Sequence, residues 1–226
     1  MPRIEFRGVR HAYGERVVLD EVTTTLTEHR IAVVGANGSG KSTLARMING
    51  LVVPSEGHVL VDDLDTRRSG RHVRRRVGFV FTDPDRQIVM PTVSEDIEFS
   101  LRRSDLGRAE RRDRVTSVLA EFGLADHADH PAHLLSGGQK QLLALAAVLV
   151  TEPDVVVADE PTTLLDLRNS RIIAERFARL PQQPVVVTHD LELIEDFDRA
   201  LLVQDGRIVA DGAPRETIRR YRESVA

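Results

Sequence analysis

The chain has 226 residues, a formal charge of -4 and no cysteine. That is enough for one sizeable domain, burying roughly 70% or more of its unfolded surface. The lack of cysteine excludes disulfide frameworks and thiolate metal sites and leaves a cytosolic location as the simplest expectation. The longest apolar run, Leu142 to Val150, is far short of the roughly 20 residues that cross a bilayer, and the N-terminus lacks a signal-peptide core. Membrane association is therefore expected through a partner.

In chain order, Arg3 to Val9 and Val17 to Leu26 read as strands. The apolar run Ile31 to Val34 reads as a strand leading through glycine-rich residues into a helix with Leu44, Met47, Ile48 and Leu51 on one face. Further strands are expected at Val59 to Asp62 and Val77 to Phe81. Thr92-Val93-Ser94-Glu95 has the spacing of a capping box for the next helix. Ala109 to Phe122 sets Val115, Val118, Leu119 and Phe122 at helical spacing, with Gly123 as the stop. A helix then runs from Ser136 towards Val150, followed by strands at Val155 to Asp159 and Val185 to Thr188. Leu201 to Gln204 and Arg207 to Ala210 flank Asp205-Gly206, a pair suited to a type I′ hairpin. Buried parallel strands alternating with helices, with antiparallel strands early, indicate an α/β core with a β-rich flank and a helical insert. The reading is one domain over residues 1–226, with core and β subdomain at about 1–81 and 151–226 and a helical subdomain at about 82–150.

Gly35-Ala36-Asn37-Gly38-Ser39-Gly40-Lys41-Ser42 fits G-x-x-x-x-G-K-[ST] between a strand and a helix. In that context backbone N–H groups wrap a polyphosphate, and the helix N-terminus adds positive potential. Lys41 is expected to reach the β- and γ-phosphates and the Ser42 hydroxyl to ligate Mg²⁺. Asp154 to Glu160 is an apolar strand ending in two carboxylates, Asp159 to hold the metal and Glu160 to act as general base on the attacking water. Leu135-Ser136-Gly137-Gly138-Gln139 opens a helix whose N–H groups and dipole favour an anion. If that tip cannot reach the phosphate held by its own chain, two copies must pack head to tail, each closing the other's nucleotide.

In order and spacing, the stretch from Tyr13 to His189 resembles the nucleotide-binding subunits of ATP-binding-cassette (ABC) transporters. Walker A lies at Gly35 to Thr43, the signature at Leu135 to Gln139, and Walker B ends at Asp159-Glu160. The resemblance implies a P-loop NTPase fold of ABC type: a mixed-sheet core, an antiparallel β subdomain and a helical subdomain. It implies ATP and Mg²⁺ as cofactors, with Tyr13 stacking on adenine. Nucleotide contacts fall to Gly35, Asn37, Gly38, Ser39, Gly40, Lys41, Ser42, Thr43, Ser136 and Gly138, and to Asp166 in the D-loop Thr163 to Asp166. His189 is the implied switch histidine, which joins Glu160 and Lys41 as the catalytic set.

Val80 to Asp96 further resembles the Q-loop region of energy-coupling-factor ATPases, which power vitamin and transition-metal uptake. Where those relatives carry glutamine after the phenylalanine, this chain has Thr82, a shorter oxygen ligand beside Ser42 and Asp159, with Gln87 as an alternative lever. Thr82 and Ile88-Val89-Met90-Pro91 most resemble the ATPase of biotin uptake systems. Cobalt, nickel and other vitamin systems stay open, as do a soluble ABC ATPase outside transport, an exporter ATPase and a module that binds ATP without hydrolysis. The implied partners are a transmembrane scaffold (T-type) protein, a substrate-binding (S-type) membrane protein and a second ATPase, identical or related. The implied place is the inner face of the cell membrane, with Ile88, Met90 and Phe99 as apolar contacts to the scaffold.

Two clusters read as structural. The basic stretch Arg67, Arg68, Arg71, Arg74, Arg75 and Arg76 is a solvated face, since net negative charge and few aromatics argue against nucleic acid. His127, Asp129, His130 and His133 resemble a metal-ligand string but lie in a proline-containing loop with no helical pattern to converge them.

Overall fold

A computed structural model describes residues 1–225, the side chain of Val225 excepted. The chain runs through strands β1 (Ile4–Tyr13), β2 (Arg16–Leu26) and β3 (Ile31–Val34) into helix α1 (Lys41–Ile48). Strands β4 (Glu56–Val61) and β5 (Leu64–Asp65), helix α2 (Gly70–Arg76) and strand β6 (Val77–Val80) follow. Helices α3 (Val93–Ser100), α4 (Arg108–Glu121) and α5 (Gly137–Leu149) come next. The rest is β7 (Val155–Asp159), α6 (Leu167–Arg179), β8 (Gln183–Val187), β9 (Arg199–Gln204), β10 (Arg207–Gly212) and α7 (Pro214–Val225).

These strands form a four-stranded antiparallel sheet in the order β2-β1-β4-β5 and a six-stranded sheet in the order β10-β9-β3-β8-β7-β6. In the larger sheet only the β9–β10 hairpin is antiparallel. Its turn has positive φ at both Asp205 (47°) and Gly206 (77°), as a type I′ turn requires.

Period-2 alternation explains why the central strands are apolar throughout. Ile31 and Val33 of β3 face one core, shared with the four-stranded sheet and α1, while Ala32 and Val34 face a second, shared with α3 to α7. Strand β7 divides in the same way, Val155 and Val157 to the first core and Val156 and Ala158 to the second. Helix α1 is anchored by Leu44, Met47 and Ile48, at most 1% exposed, each contributing about 1.5–3 kcal/mol through burial.

Three sequence expectations need correction. Leu51 is not on the buried face of α1: the helix stops at Ile48, and Leu51, 47% exposed, lies in a turn whose N–H donates back to the Arg46 carbonyl (3.0 Å). The strand expected over Arg3 to Val9 runs on to Tyr13. The basic stretch is partly engaged: Arg76 pairs with Asp62 (2.7 Å) and Asp154 (2.6 Å), and Arg67 donates to the Pro54 carbonyl. Among the described residues no helix is long and apolar enough to cross a membrane.

Candidate active site

The chain's titratable cluster lies at the carboxyl ends of β3, β8, β7 and β6, where an open parallel sheet places its ligands. Strand register aligns those ends: Val33 opposes Val187, Asp159 opposes Val187, and Val80 opposes Ala158. Just past these strand ends lie the lysine loop, His189, Glu160 and Thr82, in that order.

The lysine loop turns through left-handed glycines. Gly35 (φ 146°) leaves no room for a side chain, because a Cβ there would sit 2.1 Å from the Val203 carbonyl oxygen. A Cβ on Gly40 (φ 108°) would sit 2.7 Å from the Val18 carbonyl oxygen. The Lys41 ammonium, 5% exposed, donates to the carbonyls of Gly35 (2.7 Å) and Ala36 (2.8 Å). Burial pushes its pKa below the usual lysine value, opposed by the charges of Glu160 and Asp159. Ser39 Oγ is buried with no partner among the described residues. Asn37 is exposed and Thr43 buried on the same loop and first helical turn.

Ser42 Oγ donates to Asp159 Oδ1 (2.7 Å), and Arg46 donates to Asp159 Oδ2 (3.1 Å). Thr82 Oγ1 donates to the Asp159 backbone carbonyl (2.8 Å), so its proton is used while its lone pairs stay free. Glu160 adopts a left-handed backbone (φ 55°), held by its N–H on the Val187 carbonyl (2.8 Å). Such a conformation costs about 1–2 kcal/mol and persists where the surroundings over-determine it, as at active sites. Glu160 Oε2 accepts from Thr163 Oγ1 (3.1 Å), His189 N (3.3 Å) and His189 Nδ1 (2.7 Å), which places the imidazole proton on Nδ1.

Other expected residues stand around this cluster. Tyr13 is 52% exposed and packs edge-on against His11 (4.7 Å between ring centroids). Ser136 is the exposed N-cap of α5, with no hydrogen bond to the lysine loop among the described residues. Gly138 is small because the Asn169 amide fills the space, lying 2.3 Å from a would-be Cβ. Asp166 caps α6 by accepting from Asn169 N (2.8 Å). Thus the Ser136 tip and the Asp166 cap pack on each other.

Sequence reasoning missed Arg46, although it lies one helical turn after Ser42 and so on the same face. It offered Gln87 only as an alternative lever to Thr82. Gln87 bridges the end of β6 to α5, accepting from Phe81 N (3.1 Å) and donating to the Ala144 carbonyl (2.9 Å). Met90 and Phe99 line a shallow cleft of about 250 Å³ with Glu95, Glu98, Arg102 and Arg111, whereas Ile88 packs onto the helical core. The described residues hold no metal-binding group of His, Asp and Glu side chains, and His127 and His130 hydrogen-bond each other.

A glycine cradle without room for Cβ atoms, a buried ammonium, an orphaned Ser39 hydroxyl and a hydroxyl–carboxylate pair suit a polyphosphate with a hard divalent cation. A family model described as ABC transporter matches residues 19–163. The biotin transport ATP-binding protein BioM of Rhizobium etli is 46% identical over 223 residues, covering 99% of each chain. The energy-coupling factor transporter ATP-binding protein EcfA1 of Symbiobacterium thermophilum is 40% identical, covering 95% of this chain and 80% of that one. The solved structure of cbiO1 from Clostridium perfringens, part of the ABC transporter complex cbiONQ, superposes with a TM-score of 0.85 at 31% identity, covering 98% of this chain and 92% of that one. With its phosphate cradle and paired carboxylates in place, the chain belongs to the ABC transporter family, as one of its ATP-binding, ATP-hydrolysing subunits.

Proposed function

We propose that the chain is the ATPase subunit of an energy-coupling-factor importer and that its cargo is biotin, taken up through separate membrane proteins. The observation that carries the ATPase roles is the convergence of Lys41, Ser42, Asp159, Glu160 and His189 at one sheet edge. Likeness to BioM over 99% of both chains supports the cargo, and likeness to EcfA1 supports the importer type.

On this reading the N–H groups of Gly35 to Thr43 and the Lys41 ammonium bind the β- and γ-phosphates, and Tyr13 stacks on adenine. Ser42 and Asp159, with the free lone pairs of Thr82 beside them, hold Mg²⁺. When bound, Mg²⁺ supplies charge neutralisation at the phosphoryl oxygens. Glu160 takes the proton of the attacking water. His189 orients that carboxylate through Nδ1–H and keeps Nε2 for the γ-phosphate side. Ser136, Gly138 and Asp166 close the nucleotide held by a second copy or a related ATPase, and residues 1–226 act as one domain with a helical subdomain at about 82–150. The Met90–Phe99 cleft takes the transmembrane scaffold at the inner membrane face, and an S-type protein binds the cargo.

Purification of the tagged full chain from membranes tests this. The expected result is co-purification with a scaffold and a biotin-binding membrane protein, and ATP-dependent biotin uptake that Glu160→Gln abolishes. Met90→Glu with Phe99→Glu is expected to release the scaffold while ATP binding persists. Uptake of another solute would replace biotin as cargo, and the absence of any membrane partner would overturn the importer reading.

A further inference from the structure

We propose that His127, backed by His130, is a positioning residue for the Ser136 tip of α5, and that its bare ring nitrogen makes ATP-driven pairing of two chains acid-sensitive. This rests on the reading that Ser136 faces the partner's nucleotide. The cap is reciprocal: Gln139 N–H donates to Ser136 Oγ (3.3 Å) and Ser136 N–H donates to Gln139 Oε1 (2.9 Å). Because a backbone N–H only donates, the amide oxygen must face Ser136. A flipped amide would set two donors against each other. Gln139 Nε2 therefore points outward, 2.8 Å from His127 Nε2.

An amide nitrogen also only donates, so His127 Nε2 must accept, and the ring proton sits on Nδ1. That Nδ1 lies 2.8 Å from His130 Nδ1, which accepts in turn, leaving the proton of His130 on Nε2. The rings lie 4.9 Å apart at 40°. The donor chain from Gln139 through His127 to His130 thus uses both acceptor nitrogens. A further proton on His127 Nε2 meets the Gln139 amide, and one on His130 Nδ1 meets the His127 proton. Either way the pair cannot charge without breaking the chain that steadies the cap.

The charged neighbours do not offset this. Asp126, Asp129 and His133 share the loop. Glu95 of α3 closes on Thr92 (2.7 Å), Asp96 accepts from Val89 and Met90, Lys140 of α5 pairs with Asp85, and Glu121 of α4 pairs with Arg176. Among the described residues none makes a hydrogen bond or ion pair with either imidazole. The contact needs a bare Nε2 on His127, because a cationic imidazole would offer the Gln139 amide only a second donor.

The experiment uses the full chain with Glu160→Gln and ATP, compared at about pH 8 and about pH 6, within the region where histidine side chains act as switches. Sedimentation reads the monomer–dimer equilibrium, and ¹⁵N NMR reads the His127 tautomer. At the higher pH, His127 is expected to carry its proton on Nδ1. His127→Leu should weaken pairing about 3–10-fold there, the worth of one hydrogen bond. His127→Gln, whose side-chain oxygen accepts and does not titrate, should pair like the parent at pH 8 and show a smaller loss on acidification. A proton on Nε2, a His127→Leu chain that pairs like the parent, or a His127→Gln chain as acid-sensitive as the parent would each overturn the proposal. Failure of the Ser136 reading shows separately: the chain with native His127 would then stay monomeric with ATP at both pH values, and the pairing role falls with it.

Discussion

The lysine loop and the Ser136 tip both present N–H groups at a helix start, yet they are built differently. The loop exposes Asn37 at its crown, but its lysine end is buried and held from several sides: Lys41 is 5% and Asp159 1% exposed, and Ser42, Arg46 and Thr82 all fasten the Asp159 residue. The tip is exposed and capped by Gln139, and Leu134, Leu164 and Leu167, in the segments leading into α5 and α6, are 72%, 62% and 81% exposed. A gripping site must be rigid before its ligand arrives, whereas a closing surface must stay open until a second chain covers it.

That contrast can be broken by substitution. Lys41→Ala should lower ATP affinity by about 100-fold or more, since it removes a buried cation aimed at the phosphates. Calorimetric titration checks it, and unchanged affinity would remove Lys41 from the gripping half. Glu160→Gln should retain ATP binding and slow turnover about 10²-fold or more, as expected for loss of a general base; phosphate release under single-turnover conditions reads it. Arg46→Ala strips a partly exposed partner from a buried carboxylate. Its cost should be about 1–2 kcal/mol, between the exposed and buried limits, read by urea unfolding without nucleotide. Ser136→Ala sharpens the other side. It should cost about 1 kcal/mol through the lost cap, leave ATP affinity of the monomer intact and weaken pairing. A loss of monomer ATP affinity instead would mean that one chain closes its own nucleotide.

Much of the site was legible because its chemistry is local. The glycine spacing of 35–40, the strand before it and the helix after it lie in one continuous segment. Asp159 and Glu160 end an apolar run whose burial on two faces is written in its composition. What resisted reading is what depends on partners far along the chain. Thr82 meets the Asp159 carbonyl only because β6 and β7 pair in register, and His189 meets Glu160 across 29 residues because β7 and β8 do. Leu51 illustrates the opposite error. Its spacing suits a helix, but the chain turns at Asn49-Gly50, where Gly50 takes φ 70°.

Sequence by itself determined the phosphate loop, the run of buried strands and the motif order that places the chain among ABC ATPases, because glycine conformations and period-2 or period-3.6 burial are properties of neighbouring residues. Only the tertiary structure decided that Arg46 and Thr82 fasten Asp159, that Gln87 ties β6 to α5, and that His127 hydrogen-bonds to Gln139 of the Ser136 cap. Those contacts arise from strand register and helix packing between distant segments, which no local spacing encodes.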